Sequence, residues 1–78
     1  MVVAGVVIET LPGRAREVAI RLAGVNGLRI AGGDGDSRLA AVIEAGDARR
    51  LEEWAEELLR EDGDVLGILP TFVGDDAE

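Results

Sequence analysis

Residues Val2 to Glu9 are apolar and β-branched almost throughout, a run that suits a buried strand better than a helix of that length. Thr10-Leu11-Pro12-Gly13 interrupts it. Proline is tolerated in a first helical turn, where its missing N–H costs nothing, and Thr10 stands just ahead as a cap. Ala15, Val18, Ala19 and Leu22 then recur at helical spacing while Arg14, Arg16, Glu17 and Arg21 point away, which predicts a first helix ending at Gly24. Val25-Asn26-Gly27 reads as a turn and Leu28-Arg29-Ile30-Ala31 as a short alternating strand.

Gly32-Gly33-Asp34-Gly35-Asp36-Ser37 has the composition of a hairpin turn, and Arg38 to Glu44 is the strand that it returns into. Gly46-Asp47 opens a second helix with Asp47 as its cap. Leu51, Trp54, Ala55 and Leu58 form its apolar stripe, and the helix runs to about Glu61. Asp62-Gly63-Asp64 stops it, and Val65 to Val73 is the last strand. Residues 1–74 are thus expected to form one domain, with an acidic flexible tail over 75–78.

The order β-α-β-β-α-β predicts an α+β fold of ferredoxin-like type: a split βαβ sandwich with a four-stranded antiparallel sheet in spatial order 4-1-3-2 and both helices on one face. Pro70 agrees, because an edge strand tolerates proline and the fourth strand is an edge here. The other face of such a sheet meets water and ordinarily alternates polar residues outward. This chain does not follow that rule.

If Val2, Ala4, Val6 and Ile8 face the helices, then Val3, Gly5, Val7 and Glu9 face out. Arg38, Ala40, Val42 and Glu44 face out if Leu39, Ala41 and Ile43 face in. On the last strand the outward set is Val65, Gly67, Leu69 and Thr71, against inward Leu66, Ile68 and Phe72. The candidate binding residues are therefore Val3, Gly5, Val7, Glu9, Ala40, Val42, Glu44, Gly67 and Leu69, an aliphatic trough floored by small residues and rimmed by two carboxylates. Uncovered apolar patches of more than a few hundred Å² usually mark an interaction site. Its occupant is an apolar or amphipathic helix, or a second copy of the chain. A bulge would exchange the inward and outward sets.

Composition narrows the partners. Sixteen acidic residues against eight arginines give a net charge of −8, which repels phosphate backbones and disfavours nucleic acid. One Trp, one Phe and no Tyr leave few platforms for stacking bases. Without Cys or His the chain lacks a thiolate, the commonest general base and the commonest metal ligands, and no acid/base pair or nucleophilic constellation assembles; neither an enzyme nor a cofactor is expected. The Gly32–Ser37 run precedes no helix and lacks the lysine of a phosphate loop, and it offers too few alternating ligands for calcium. The opening apolar run is too short to span a bilayer and has no basic flank, so no membrane insertion and a cytoplasmic location are expected.

Several short segments, in this order, resemble the NapD family, the small cytoplasmic chaperones of periplasmic nitrate reductase. They are Ala4-Gly5-Val6-Val7-Ile8, Pro12, Asn26-Gly27-Leu28-Arg29-Ile30, Leu39-Ala40-Ala41-Val42-Ile43-Glu44 and Asp64-Val65-Leu66, within a match from Ala4 to Phe72. Two departures stand out: Gly5, where family members often carry serine, and Phe72-Val73 in place of a Tyr-His pair. The resemblance implies binding of the twin-arginine signal peptide of the periplasmic nitrate reductase catalytic subunit, or of a related molybdenum reductase preprotein, helical against the sheet, so that export waits for cofactor loading; the chain itself is expected to be a monomer or weak homodimer. Glu9 and Glu44 would suit the peptide's arginines. The alternative is a small ligand-binding or dimerisation module of a regulator with the same topology.

Overall fold

A computed structural model describes residues 1–75, and six elements follow in the expected order. They are β1 (Val2–Thr10), α1 (Ala15–Leu22), β2 (Leu28–Gly33), β3 (Arg38–Ala45), α2 (Ala48–Glu61) and β4 (Val65–Asp75). The strands form one antiparallel sheet in the order β2-β3-β1-β4, the ferredoxin-like arrangement, with β2 and β4 as its edges. β1 lies between β3 and β4, with Ala4, Val6 and Ile8 facing the helices and the residues between them facing away.

Alternate residues of the inner strands build the core. Ala4, Val6 and Ile8 of β1 meet Leu39, Ala41 and Ile43 of β3 beneath Ala15, Val18 and Leu22 of α1. α2 packs less deeply. Leu51, Trp54 and Leu58 lie against the core, yet none of the helix's residues is fully buried.

Local chemistry sets the element ends. Asp47 is extended and its carboxylate accepts from the Arg50 N–H at 2.9 Å, so α2 starts where the sequence places its cap. α1 differs from expectation. Thr10 belongs to β1, where it is buried and its hydroxyl donates to the Leu11 carbonyl at 2.9 Å; it caps no helix. Pro12 lies in the turn before α1, whose N-terminal flank is Arg14 with no side-chain cap. The helix begins later because Gly13 turns the chain at φ +79°, a left-handed conformation that glycine tolerates.

The Gly32–Ser37 segment makes the hairpin turn between β2 and β3 and braces the β1–α1 loop. Its Asp34 carboxylate accepts backbone N–H groups of Asp36 at 2.9 Å and of Ser37 and Arg38 at 3.0 Å. Asp36 accepts from the Gly13 N–H at 2.7 Å, and the Ser37 carbonyl accepts from the Thr10 N–H at 2.8 Å. The three amide bonds, that from Asp36 foremost, hold the Asp34 carboxyl below its ordinary range. At the same end of the sheet, where the Leu11 N–H donates to the Asp64 carbonyl, Arg21 of α1 donates to Asp62 at 2.9 Å and Asp64 at 3.0 Å, fastening the exit of α2 to α1.

β4 is two residues longer than expected. Gly74 and Asp75 pair with Val3 and Val2, so the strand includes the first position of the expected tail. The rest of that tail, 76–78, lies outside the described residues.

Candidate functional site: the open face of the sheet

The face away from the helices assembles in cross-strand rows. Arg29, Val42, Gly5 and Phe72 form one row from β2 to β4, and Gly32, Ala40, Val7 and Leu69 the next. Arg38, Glu9 and Gly67 lie at one end, with Glu44, Val3 and Gly74 at the other. All nine candidate residues, Val3, Gly5, Val7, Glu9, Ala40, Val42, Glu44, Gly67 and Leu69, are brought onto this one surface.

The fourth strand departs from simple alternation. Its register against β1 shifts between Gly5 and Val6 and again between Glu9 and Thr10. A bulge inserts one residue and so reverses the in/out sense beyond it. Between the two shifts Gly67 and Leu69 face out and Ile68 faces in, as the alternation predicts. Outside them the expectation fails: Val65, assigned to the open face, pairs with buried Thr10 and is itself 5% exposed in the core. Phe72, assigned inward, pairs with Gly5 on the open face and is 54% exposed.

Phe72 changes the chemistry of the trough. Gly5 is buried although no helix covers its face, because the Phe72 ring lies over it. A Cβ built on Gly5 would come within 2.6 Å of Phe72 Cδ1 and 2.8 Å of Thr71 Oγ1, closer than atoms can approach. The pairing shields a strand glycine with a cross-strand aromatic ring, a device that restores the packing glycine forfeits. Gly5 and Phe72 are thus direct cross-strand neighbours. A serine at position 5 cannot coexist with Phe72 in this pose.

The rim is less acidic than expected. Glu9 lies directly opposite Arg38, and their side chains approach to 3.8 Å while remaining largely in solvent. Arg29, absent from the candidate set, stands beside Val42 on the same face. Arg29, Val3, Gly27, Leu28, Val42 and Glu44 line a shallow hollow of about 500 Å³ at the β2 side. With Arg29 and Arg38 set against Glu9 and Glu44, the face is close to electroneutral, and the acidic excess of the chain lies elsewhere. Arg29 was legible as the one polar position of its short strand facing away from Leu28 and Ile30.

A second hollow lies on the helix side, where α2 stops short of β4. Its volume is about 270 Å³, and Leu51, Trp54, Ala55, Ile68, Pro70 and Val73 form most of its wall. Among the described residues no group of three or more acidic side chains is placed to hold a metal ion, and no helix is long and apolar enough to cross a membrane.

Fold and surface together define the class: a ferredoxin-like α+β domain whose uncovered sheet face is apolar at its centre and charge-balanced at its ends. Neither protein-family models, nor curated proteins, nor solved structures give a match to this chain.

Proposed function

We propose that the protein is a binding module, not an enzyme, and that its open sheet face receives an apolar peptide segment carrying basic residues. The observation that carries this reading is the uncovered apolar surface formed by Val3, Val7, Val42, Leu69 and Phe72. Water gains nothing from contact with such a surface, and a helix or strand laid across it would remove apolar area from solvent at roughly 25 cal/mol per Å². The face's charges set direction. Glu44 is exposed at one end, and the solvated Glu9–Arg38 pair at the other can exchange Arg38 for a guanidinium from the ligand.

The particular ligand we propose is the twin-arginine signal peptide of a molybdenum reductase preprotein, bound in the cytoplasm before export, as in the chaperones that the segment pattern resembles. Such a leader joins paired arginines to an apolar stretch, and a chain of net charge −8 attracts it over a distance. Exposed ion pairs contribute only about 0 to 1 kcal/mol each, so the apolar contact dominates affinity and the carboxylates fix polarity.

The test is an NMR titration with a synthetic twin-arginine leader. Shifts should concentrate at Val7, Val42, Leu69 and Phe72 and leave α1 unmoved. Replacing both arginines by glutamine should weaken binding by about thirtyfold or less. Absence of shifts on the open face, with no heat of mixing, refutes the reading.

A further inference from the structure

The two edges of the sheet are built differently. β2 is short, carries Arg29 and ends in two glycines, features that discourage another strand from pairing with it. β4 is eleven residues long, and from Val65 to Gly74 it contains no charged side chain, although 31% of the chain is charged. Its second half is bare on three sides. Leu69 and Phe72 are exposed on the open face, Val73 is 58% exposed beside α2, and the outer edge has no neighbouring strand. A long, apolar, uncharged edge is a template for strand pairing. Pro70 and the strand's two bulges, at Leu66 and Thr71, blunt it no further than Thr71.

We propose that β4 pairs antiparallel with β4 of a second copy, joining two four-stranded sheets into one of eight strands. Pro70 offers no N–H, so the run available for pairing begins at Thr71 and ends with the strand at Asp75; its middle residue is Val73. A two-fold axis at Val73 sets that residue against its own copy on the helix side, where the second valine closes the hollow beside Trp54 and Pro70. On the open face the same axis sets Phe72 opposite the partner's Gly74, which leaves room for the ring. The isologous contact is therefore self-complementary. Asp75, the one charged residue of that run, falls opposite the partner's Thr71, so two chains of net charge −8 meet there without direct like-charge contacts. Pairing makes the two open faces continuous, so each copy extends the other's apolar surface with Leu69 and Phe72. This inference does not depend on what that surface binds.

The chain has no cysteine, so Val73→Cys introduces a single thiol at the axis. Mild oxidation should yield a disulfide-linked dimer of V73C at least tenfold faster than of Ile20→Cys, whose position on α1 is 69% exposed. Sedimentation of the unmodified protein should show the 8.2 kDa species giving way to one of twice that mass as concentration rises, and Val73→Lys should abolish the shift. Added salt should strengthen the dimer, because it screens repulsion between like-charged chains, whereas it should weaken capture of a basic peptide. A monomer at every concentration overturns the inference. So does a dimer that cross-links through Val42→Cys and not through Val73→Cys, since that dimer would join face to face.

Discussion

The two faces of the sheet differ in composition and in fate: the helix side is almost wholly apolar, and the open side sets an apolar centre between charged ends. On the helix side Ala4, Val6 and Ile8 face Leu39, Ala41 and Ile43 under two helices, and each is at most 5% exposed. On the other side Val3, Val7, Val42, Leu69 and Phe72 form a comparable surface with nothing above it. Similar side chains, one residue apart along each strand, thus serve different ends: one set holds the domain together, and the other is left available to a partner. Substitutions should separate the two. Losses inside should appear as stability, and losses outside as binding.

The largest effect should come from Ile8→Ala. Ile8 is wholly buried between the helices and the sheet, and truncating such a residue removes transfer energy and leaves a cavity, together about 2–5 kcal/mol. In a domain of this size each kcal/mol lowers the melting temperature by about 4–8 °C. Thermal unfolding by circular dichroism should therefore show a fall of at least about 8 °C. A smaller fall would mean that the covered face is not the main source of stability.

Gly5→Ala tests where the faces touch. A side chain at position 5 would point to the open face, yet the change should behave like a core substitution, because the added methyl meets Phe72 and Thr71. Overpacking of this kind costs about 1–3 kcal/mol. Combining it with Phe72→Ala should recover most of that loss, since the small partner removes the clash. Urea titrations of both single variants and the double variant measure the coupling. Additive losses would show that the ring does not rest on Gly5.

Much of this arrangement could be read from the chain. The apolar run of β1, the helical stripes of Ala15–Leu22 and Leu51–Leu58, and the Asp47 cap each express a local rule that tertiary structure did not override. The open face was legible on β1 and β3 because their mutual register is unbroken from Val2 to Glu9. On β4 it was legible only between the bulges. Val65 and Phe72 were misassigned because a bulge is a property of the strand pair, so period-two reading has no means of sensing it. The late start of α1 has a similar origin. Thr10 and Pro12 look like a helix entry locally, but the Thr10 N–H is engaged by Ser37 across the hairpin, which keeps that residue in the sheet. The Glu9–Arg38 pairing likewise follows from register, and it moderates the acidic rim that charge counting suggests.

Leu69→Glu should have a small effect on folding and a large one on binding. Leu69 is 53% exposed on an edge strand, so stability should change by no more than about 0.5 kcal/mol. A charge placed in the apolar trough should reduce affinity for the leader peptide by at least about tenfold, equivalent to 1.4 kcal/mol. Calorimetry on the variant beside a thermal melt reads both quantities. Unchanged peptide affinity would remove β4 from the binding surface and restrict the site to β1 and β3.

The smallest expected effect lies in the turn that belongs to neither face. Asp34 holds the β2–β3 turn through three backbone N–H groups, and these bonds favour its charged form and lower its pKa. A carboxyl lowered by folding contributes stability above its unfolded value, near 3.9, and that contribution disappears as pH falls through the lower folded value. The difference in stability between the native chain and Asp34→Ala should accordingly be constant from about pH 8 to pH 5 and should narrow only below about pH 4. Ile8→Ala changes no titratable group, so its stability gap should stay open across the same acid range. Urea unfolding of the native chain and Asp34→Ala at a series of pH values reads the difference directly. A gap that stays open at pH 2 would show that the turn is held by something other than the charge of Asp34.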